Sequence, residues 1–174
     1  MHTWIFGYGS LIWRPDLPYC EERWARLDGW ERRFWQGSPD HRGTPEKPGR
    51  VLTLIQKPGA TCLGKVFCLE PSEREATLAR LNHREQAGYE TRLVDVETDL
   101  GEIQAWLYIG LPENPHFLGP STTAEMVAQI EGSAGPSGSN RDYVLKLAEA
   151  LGPRLSPSDD PELCAIAEAL RSGR

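Results

Sequence analysis

The chain has no long apolar run, no surplus of positive charge and no cysteine framework, and each absence removes a class of protein. A membrane helix needs about 20 consecutive apolar residues, so no membrane span is expected. The N-terminus lacks a basic stretch followed by an apolar core, so no secretory leader is expected and a cytoplasmic protein is. The formal net charge is −6. Phosphate contacts need a basic face, so nucleic acid is not an expected partner. Arg23, Arg26, Arg32 and Arg33 are interrupted by Glu22, Asp28 and Glu31, as on a solvated or ion-paired strand surface. Cys20, Cys62, Cys68 and Cys164 show no Cys-x-x-Cys spacing. Cys62 and Cys68 stand an even number of residues apart on one expected strand, facing one way but too far apart along it to bridge. Free thiols in a reducing compartment are expected. His2, His41, His83 and His116 lack metal-ligand spacing, so no metal site is expected.

What is present describes one globular domain over residues 1–174, with 39% hydrophobic and 25% charged residues. A chain of this length buries roughly 70% of its unfolded surface and needs no staples. Fourteen prolines and seventeen glycines imply many turns and short elements.

Residues 3–9 read as a first strand. Residues 22–27 and 30–36 read as two strands turning at Asp28-Gly29, a hairpin dipeptide. Residues 37–49 form a long loop. Residues 51–55 and 62–69 read as strands separated by a Pro58-Gly59 turn. Pro71 suits the first position of a helix over 71–83, with Ala76, Leu78 and Leu81 inward. Residues 89–97 and 103–109 read as antiparallel strands around Asp99–Gly101. Thr122 and Glu125 form a capping box for a helix bearing Met126, Val127 and Ile130. Ser139 or Asn140 caps another with Tyr143, Val144, Leu147 and Leu151, stopped by Gly152-Pro153, and Pro161 starts a last helix through Leu170. Strands fill the first two thirds and helices the last third, which is α+β organisation. The strand-rich part could close into a small barrel and so avoid open edges.

The N-terminal strand runs into Phe6-Gly7-Tyr8-Gly9-Ser10-Leu11. Glycine there permits positive φ and removes the Cβ that would hold a ligand off the backbone. Consecutive bare N–H groups form a nest for a carboxylate or phosphate, although an unliganded β-turn has the same pattern. A dinucleotide fingerprint would need a third glycine where Ile12 stands, and the Gly-Lys-Ser/Thr of a P-loop does not occur. Glu85 ends an expected helix just before Gly88, where it can point into a pocket or pair with Arg84 or Arg92 in solvent. A helix C-terminus disfavours negative charge, which would raise the pKa of a buried carboxylate there. Arg42, in the long loop, can meet a substrate carboxylate or be solvated. Tyr143 can present its hydroxyl to a pocket or pack in the core. The tryptophans (Trp4, Trp13, Trp24, Trp30, Trp35, Trp106) read as packing residues.

Four stretches in order carry a resemblance over nearly the whole chain: Tyr8-Gly9-Ser10-Leu11, Asp40 to Arg50, His83-Arg84-Glu85-Gln86-Ala87-Gly88-Tyr89, and Gly135 to Tyr143. Together they resemble the ChaC-like γ-glutamylcyclotransferase family. Ala87 stands where glycine is common, and Val144 where leucine is. The resemblance implies a small mixed β-barrel with flanking helices. It implies Glu85 as general acid/base, the γ-glutamyl group held against Tyr8–Leu11, glutathione as the small-molecule substrate, and no cofactor. The implied reaction is attack of the substrate's α-amine on its own γ-carbonyl, releasing 5-oxoproline and Cys-Gly. Two alternatives stay open: a non-catalytic γ-glutamyl or glutathione binding module, and a cyclotransferase for another γ-glutamyl amine. A sheet-based interaction protein is a third. Glu90, Glu102 and Asp142 are the carboxylates next in line should Glu85 not serve.

Overall fold

The computed structural model describes residues 2–85 and 88–173, and of Arg84 and Glu85 the backbone alone. The elements in chain order are β1 (Trp4–Gly7), a 3₁₀ turn (Ser10–Ile12), β2 (Tyr19–Ser38), β3 (Gly49–Leu69), α1 (Arg74–Glu85), β4 (Tyr89–Thr98) and β5 (Gly101–Gly110). They continue as α2 (Thr123–Glu131), the two-residue strands β6 (Ala134–Gly135) and β7 (Gly138–Ser139), α3 (Asn140–Leu151) and α4 (Pro161–Ser172). The first five strands close a barrel in the order β1-β3-β2-β4-β5. It is mixed, because β1 meets β5 in parallel at Ile5 and Trp106 while β1 and β3 run antiparallel. This is the α+β barrel with helices gathered late in the chain that the resemblance implies.

Two of the expected turns are not turns. Asp28-Gly29 lies inside β2 and Pro58-Gly59 inside β3, and both strands run straight through. Gly29 and Gly59 have φ of 80° and 81°, so the dipeptides meet their positive-φ requirement by bending a strand rather than reversing it. The Thr61 hydroxyl on β3 donates to the Asp28 carboxylate at 2.7 Å.

The chain divides into two compact units, one of Met1–Trp30 and Gln56–Asn114, the other of Glu31–Ile55 and Pro115–Arg174, so β2 and β3 contribute residues to both. In the first, β1 pairs with β3 from Trp4↔Cys68 to Gly7↔Lys65, and β4 with β5 from Tyr89↔Gly110 to Thr98↔Gly101. Helix α1 closes an apolar cluster in which Leu81 joins Ile5, Leu17, Phe67 and Leu69, with Leu11, Leu78 and Tyr108 packed against it. The helix begins three residues after Pro71, because Glu73 N–H already closes a turn on the Glu70 carbonyl. Its inward face is Thr77, Leu78 and Leu81, and Ala76 is exposed.

In the second unit, α2 carries the expected capping box, with Thr122 and Glu125 bonded reciprocally. Ser139 caps α3 by accepting from Asp142 N–H, and Gly152 ends it at φ 51°. The apolar faces Met126–Val127–Ile130, Val144–Leu147–Leu151 and Leu163–Ile166–Leu170 are buried. Helix α4 is tied to β2 by Glu162, which accepts from Phe34 N–H at 2.6 Å and Trp35 Nε1–H at 3.2 Å. Beside it Arg32 and Asp160 form a buried ion pair at 3.3 Å. Burial pushes the Asp160 carboxyl up, outweighing the pull of Arg32. Trp30 is buried, whereas Trp106 is partly exposed on β5 opposite Leu93.

Candidate active site

The Tyr8–Leu11 segment follows directly from β1. A Cβ on Gly7 would stand 2.8 Å from Leu11 Cβ and 3.2 Å from the Phe67 ring, so glycine is what lets the chain fold back so closely. Ile12 N–H donates to the Gly9 carbonyl at 3.0 Å, and Trp13 and Arg14 N–H to the Ser10 carbonyl at 3.3 and 2.8 Å. Ser10 and Leu11 precede these donors, at the start of a helical turn where N–H groups have no partner within the turn. Gly9, at the head of the turn, has no side chain to cap it. Gly9 has φ −129°, not the positive φ the sequence suggested, so its contribution is the missing side chain. Tyr8 is buried, and its hydroxyl donates to the Tyr108 carbonyl at 2.8 Å.

Glu85 is the last residue of α1. Its side chain lies outside the described residues, as do Gln86 and Ala87. The backbone on both sides is held. One turn earlier, Asn82 Oδ1 accepts from the Tyr108 hydroxyl at 3.0 Å. After it, Gly88 has φ 88° and its carbonyl accepts from Asn114 Nδ2 at 2.7 Å. Asn114 is itself buried, with its N–H on the Leu111 carbonyl at 2.9 Å. Tyr8, Tyr108 and Asn82 thus form a continuous strut between the N-terminal turn and the helix that ends in Glu85. Asn82 and Asn114 carry no motif and went unnoticed in the sequence; Asn114 had read only as part of a proline-marked connection.

The other carboxylates have different surroundings. Glu90 accepts from Arg92 Nε at 2.6 Å and is exposed. Arg92 also lies over the Trp30 ring, 5.6 Å from its centroid. Glu102 is exposed on β5, opposite Glu97. Asp142 sits in the first turn of α3.

Arg42 and Tyr143 come together within the second unit. The Arg42 guanidinium lies 5.6 Å from the centroid of the Tyr143 ring, and its Nη1 donates to the Ser139 carbonyl at 3.1 Å. Arg42 is buried, not solvated, because the loop after β2 folds back on itself: Ser38 Oγ accepts from Arg42 N–H at 3.0 Å. Tyr143 is buried too, and its hydroxyl accepts from Leu52 N–H at 3.3 Å. Asn140, fully buried, grips one residue of β3 from both sides. Its Oδ1 accepts from Arg50 N–H and its Nδ2 donates to the Arg50 carbonyl, each at 2.7 Å. The sequence offered Asn140 only as an alternative helix cap. Among the described residues no group of three or more His, Cys, Asp or Glu could hold a metal ion, and no helix is long and apolar enough to cross a membrane.

Residues 3–172 match the family model described as ChaC-like protein. The chain is 44% identical over 172 residues to a zebrafish (Danio rerio) protein named glutathione-specific gamma-glutamylcyclotransferase 1, covering 96% of this chain and 88% of that one. It is 37% identical to the human protein of the same name, covering 96% and 78%. A solved structure of a yeast γ-glutamyl cyclotransferase specific to glutathione superposes with a TM-score of 0.89 at 32% identity, covering 99% of this chain and 97% of that one. With residues 3–172 matched in sequence and its barrel matched in structure, the chain belongs to the ChaC-like family.

Proposed function

We propose that this protein is a glutathione-specific γ-glutamylcyclotransferase, with Glu85 as its general acid/base and the Tyr8–Leu11 turn as the cradle of the γ-glutamyl group. The relatives named for this activity support the reaction and the substrate. The observation that carries the assignment of residues is the Tyr8–Tyr108–Asn82 strut, which couples the turn to the end of α1.

The chemistry asks for few parts. The α-amine of the substrate arrives mostly as ammonium, since its pKa is about 8. It loses one proton to solvent on binding, the freed amine attacks the γ-carbonyl, and Glu85 takes the second proton from that nitrogen as the five-membered lactam closes. The same carboxyl returns the proton to the departing nitrogen, so 5-oxoproline and Cys-Gly leave without a cofactor. The start of the Ser10–Ile12 turn receives the α-carboxylate and curls the substrate, and such positioning is worth roughly 7–11 kcal/mol. Arg42 and Tyr143 are assigned to the substrate's remaining polar groups, with Arg42 held by Ser139 and stacked on Tyr143. A cytoplasmic setting suits a protein whose cysteines are free.

The test is incubation of the purified protein with reduced glutathione, with assay of 5-oxoproline and Cys-Gly. Glu85→Gln, nearly isosteric but unable to accept the proton, should lower kcat by about 10²–10⁴-fold. A folded Glu85→Gln protein with unchanged turnover would remove Glu85 from the mechanism. Glutathione binding without product in the wild type would mark a binding module, and turnover of γ-glutamyl amino acids alone would reassign the substrate.

A further inference from the structure

Cys20 and Cys68 lie on neighbouring strands, β2 and β3. The Cys20 thiol donates to the Cys68 carbonyl at 3.6 Å, and the adjacent Tyr19 ring stands edge-on to Phe67 at 5.2 Å. That thiol contact sets the two cysteines beside each other on adjacent strands, and neighbouring strands lie about 4.7–4.9 Å apart, inside the Cα range a disulfide spans. The two thiols differ sharply in surroundings. Cys20 is exposed and Cys68 is buried. Cys62 is buried as well and Cys164 is half-buried, so Cys20 is the thiol most open to a reagent. His2 Nδ1 stands 3.5 Å from Cys68 Sγ. None of these residues belongs to the proposed active site.

We propose that Cys20 and Cys68 form a thiol–disulfide exchange site for low-molecular-weight disulfides, in which Cys20 is attacked first and Cys68 resolves it. In the first step the Cys20 thiolate attacks a small disulfide RSSR. The S–S bond of the reagent breaks, a Cys20–SR mixed disulfide forms and one RSH is released. In the second step Cys68 gives its proton to His2 Nδ1 and attacks the Cys20 sulfur. A Cys20–Cys68 disulfide forms and a second RSH leaves with that proton. Two protein thiols are oxidised and one small disulfide is reduced to two thiols. The order follows from burial. It pushes the Cys68 thiol up to about 11, with the contact to the Cys20 thiol adding to the shift. Cys68 is therefore inert toward a reagent in solution and reacts only with a sulfur already delivered beside it. The sequence concealed this pair, because its partners lie on different strands separated by a long stretch of chain.

The probe is bis(2-hydroxyethyl) disulfide, which carries no γ-glutamyl group, so the outcome is independent of the proposed reaction. The reduced, native protein is treated with it, quenched with N-ethylmaleimide and mapped by peptide mass spectrometry. The expected product joins the Cys20 and Cys68 peptides and leaves two of the four thiols titratable after denaturation. Cys68→Ala should stop at the mixed disulfide on Cys20, leaving two thiols of its three. A wild-type protein that accumulates the Cys20 mixed disulfide without a cross-link would overturn the proposal. So would reaction at Cys164 with Cys20 left untouched. The wild-type map decides the matter even if Cys68→Ala fails to fold.

Discussion

At the scale of single residues, the two changes with the clearest consequences separate binding from stability. Gly9 has a negative φ, so a side chain there does not force the backbone into the left-handed region. Gly9→Val should weaken substrate binding more than it damages the fold, its methyl groups screening the N–H groups of the turn from a carboxylate. A raised KM for glutathione in a protein that still folds is the expected result, and an unchanged KM would remove the cradle. Asn140 is the opposite case. Replacing it with alanine leaves both backbone polar groups of Arg50 buried and unpaired. Each such loss costs about 1–3 kcal/mol. Asn140→Ala should lower the urea midpoint accordingly, and Asn140→Asp, which turns a carboxylate oxygen onto the Arg50 carbonyl in a fully buried place, should lower it at least as far. The turn after β1 was legible in the sequence because its motif is local. Asn82, Asn114 and Asn140 were not, because each derives its role from a backbone group or side chain far away in sequence: Tyr108, Gly88 and Arg50.

At the scale of elements, the helices were the readable part. Thr122, Ser139, Gly152 and Pro161 mark ends through local hydrogen bonds and backbone limits that depend little on the rest of the molecule. The α2 capping box has a pH signature. Hydrogen bonds from the Ser121 hydroxyl, then Thr122 N–H and the Thr122 hydroxyl, hold the Glu125 carboxyl down at about 2. An unfolded glutamate titrates near 4.3, at roughly its model-peptide value. The ionised group thus favours the folded state above that value, and the benefit is lost as pH falls from there through about 2. The stability difference between wild type and Glu125→Ala should be constant at neutral pH and shrink across that acid window. Denaturant titrations at several pH values would show it, and a gap independent of pH would mean the carboxylate contributes nothing as an ion. The long strands were harder to read. Asp-Gly and Pro-Gly announce a residue with positive φ, and a hairpin or a bend satisfies that equally. What decided between them was the pairing of β2 and β3 in a closed barrel, a non-local fact.

At the scale of the whole molecule, the two compact units are each assembled from two separate pieces of sequence. The family match runs through both, and we expect a single domain in the thermodynamic sense. Tryptophan fluorescence and far-UV circular dichroism should report one coincident unfolding transition. Two resolved transitions would show that the units unfold independently. The interleaving also has a consequence for synthesis. The segment Glu31–Ile55 leaves the ribosome before the first unit is finished at Asn114, yet its own unit is not complete until the last helix has been made. Until then Phe34 and Leu52 lack Tyr143, the α3 residue against which both are placed in the finished protein. A nascent chain halted at residue 114 would hold a nearly complete first unit with an uncovered apolar ribbon. Premature termination there should yield a species that chaperones retain, rather than a smaller soluble protein.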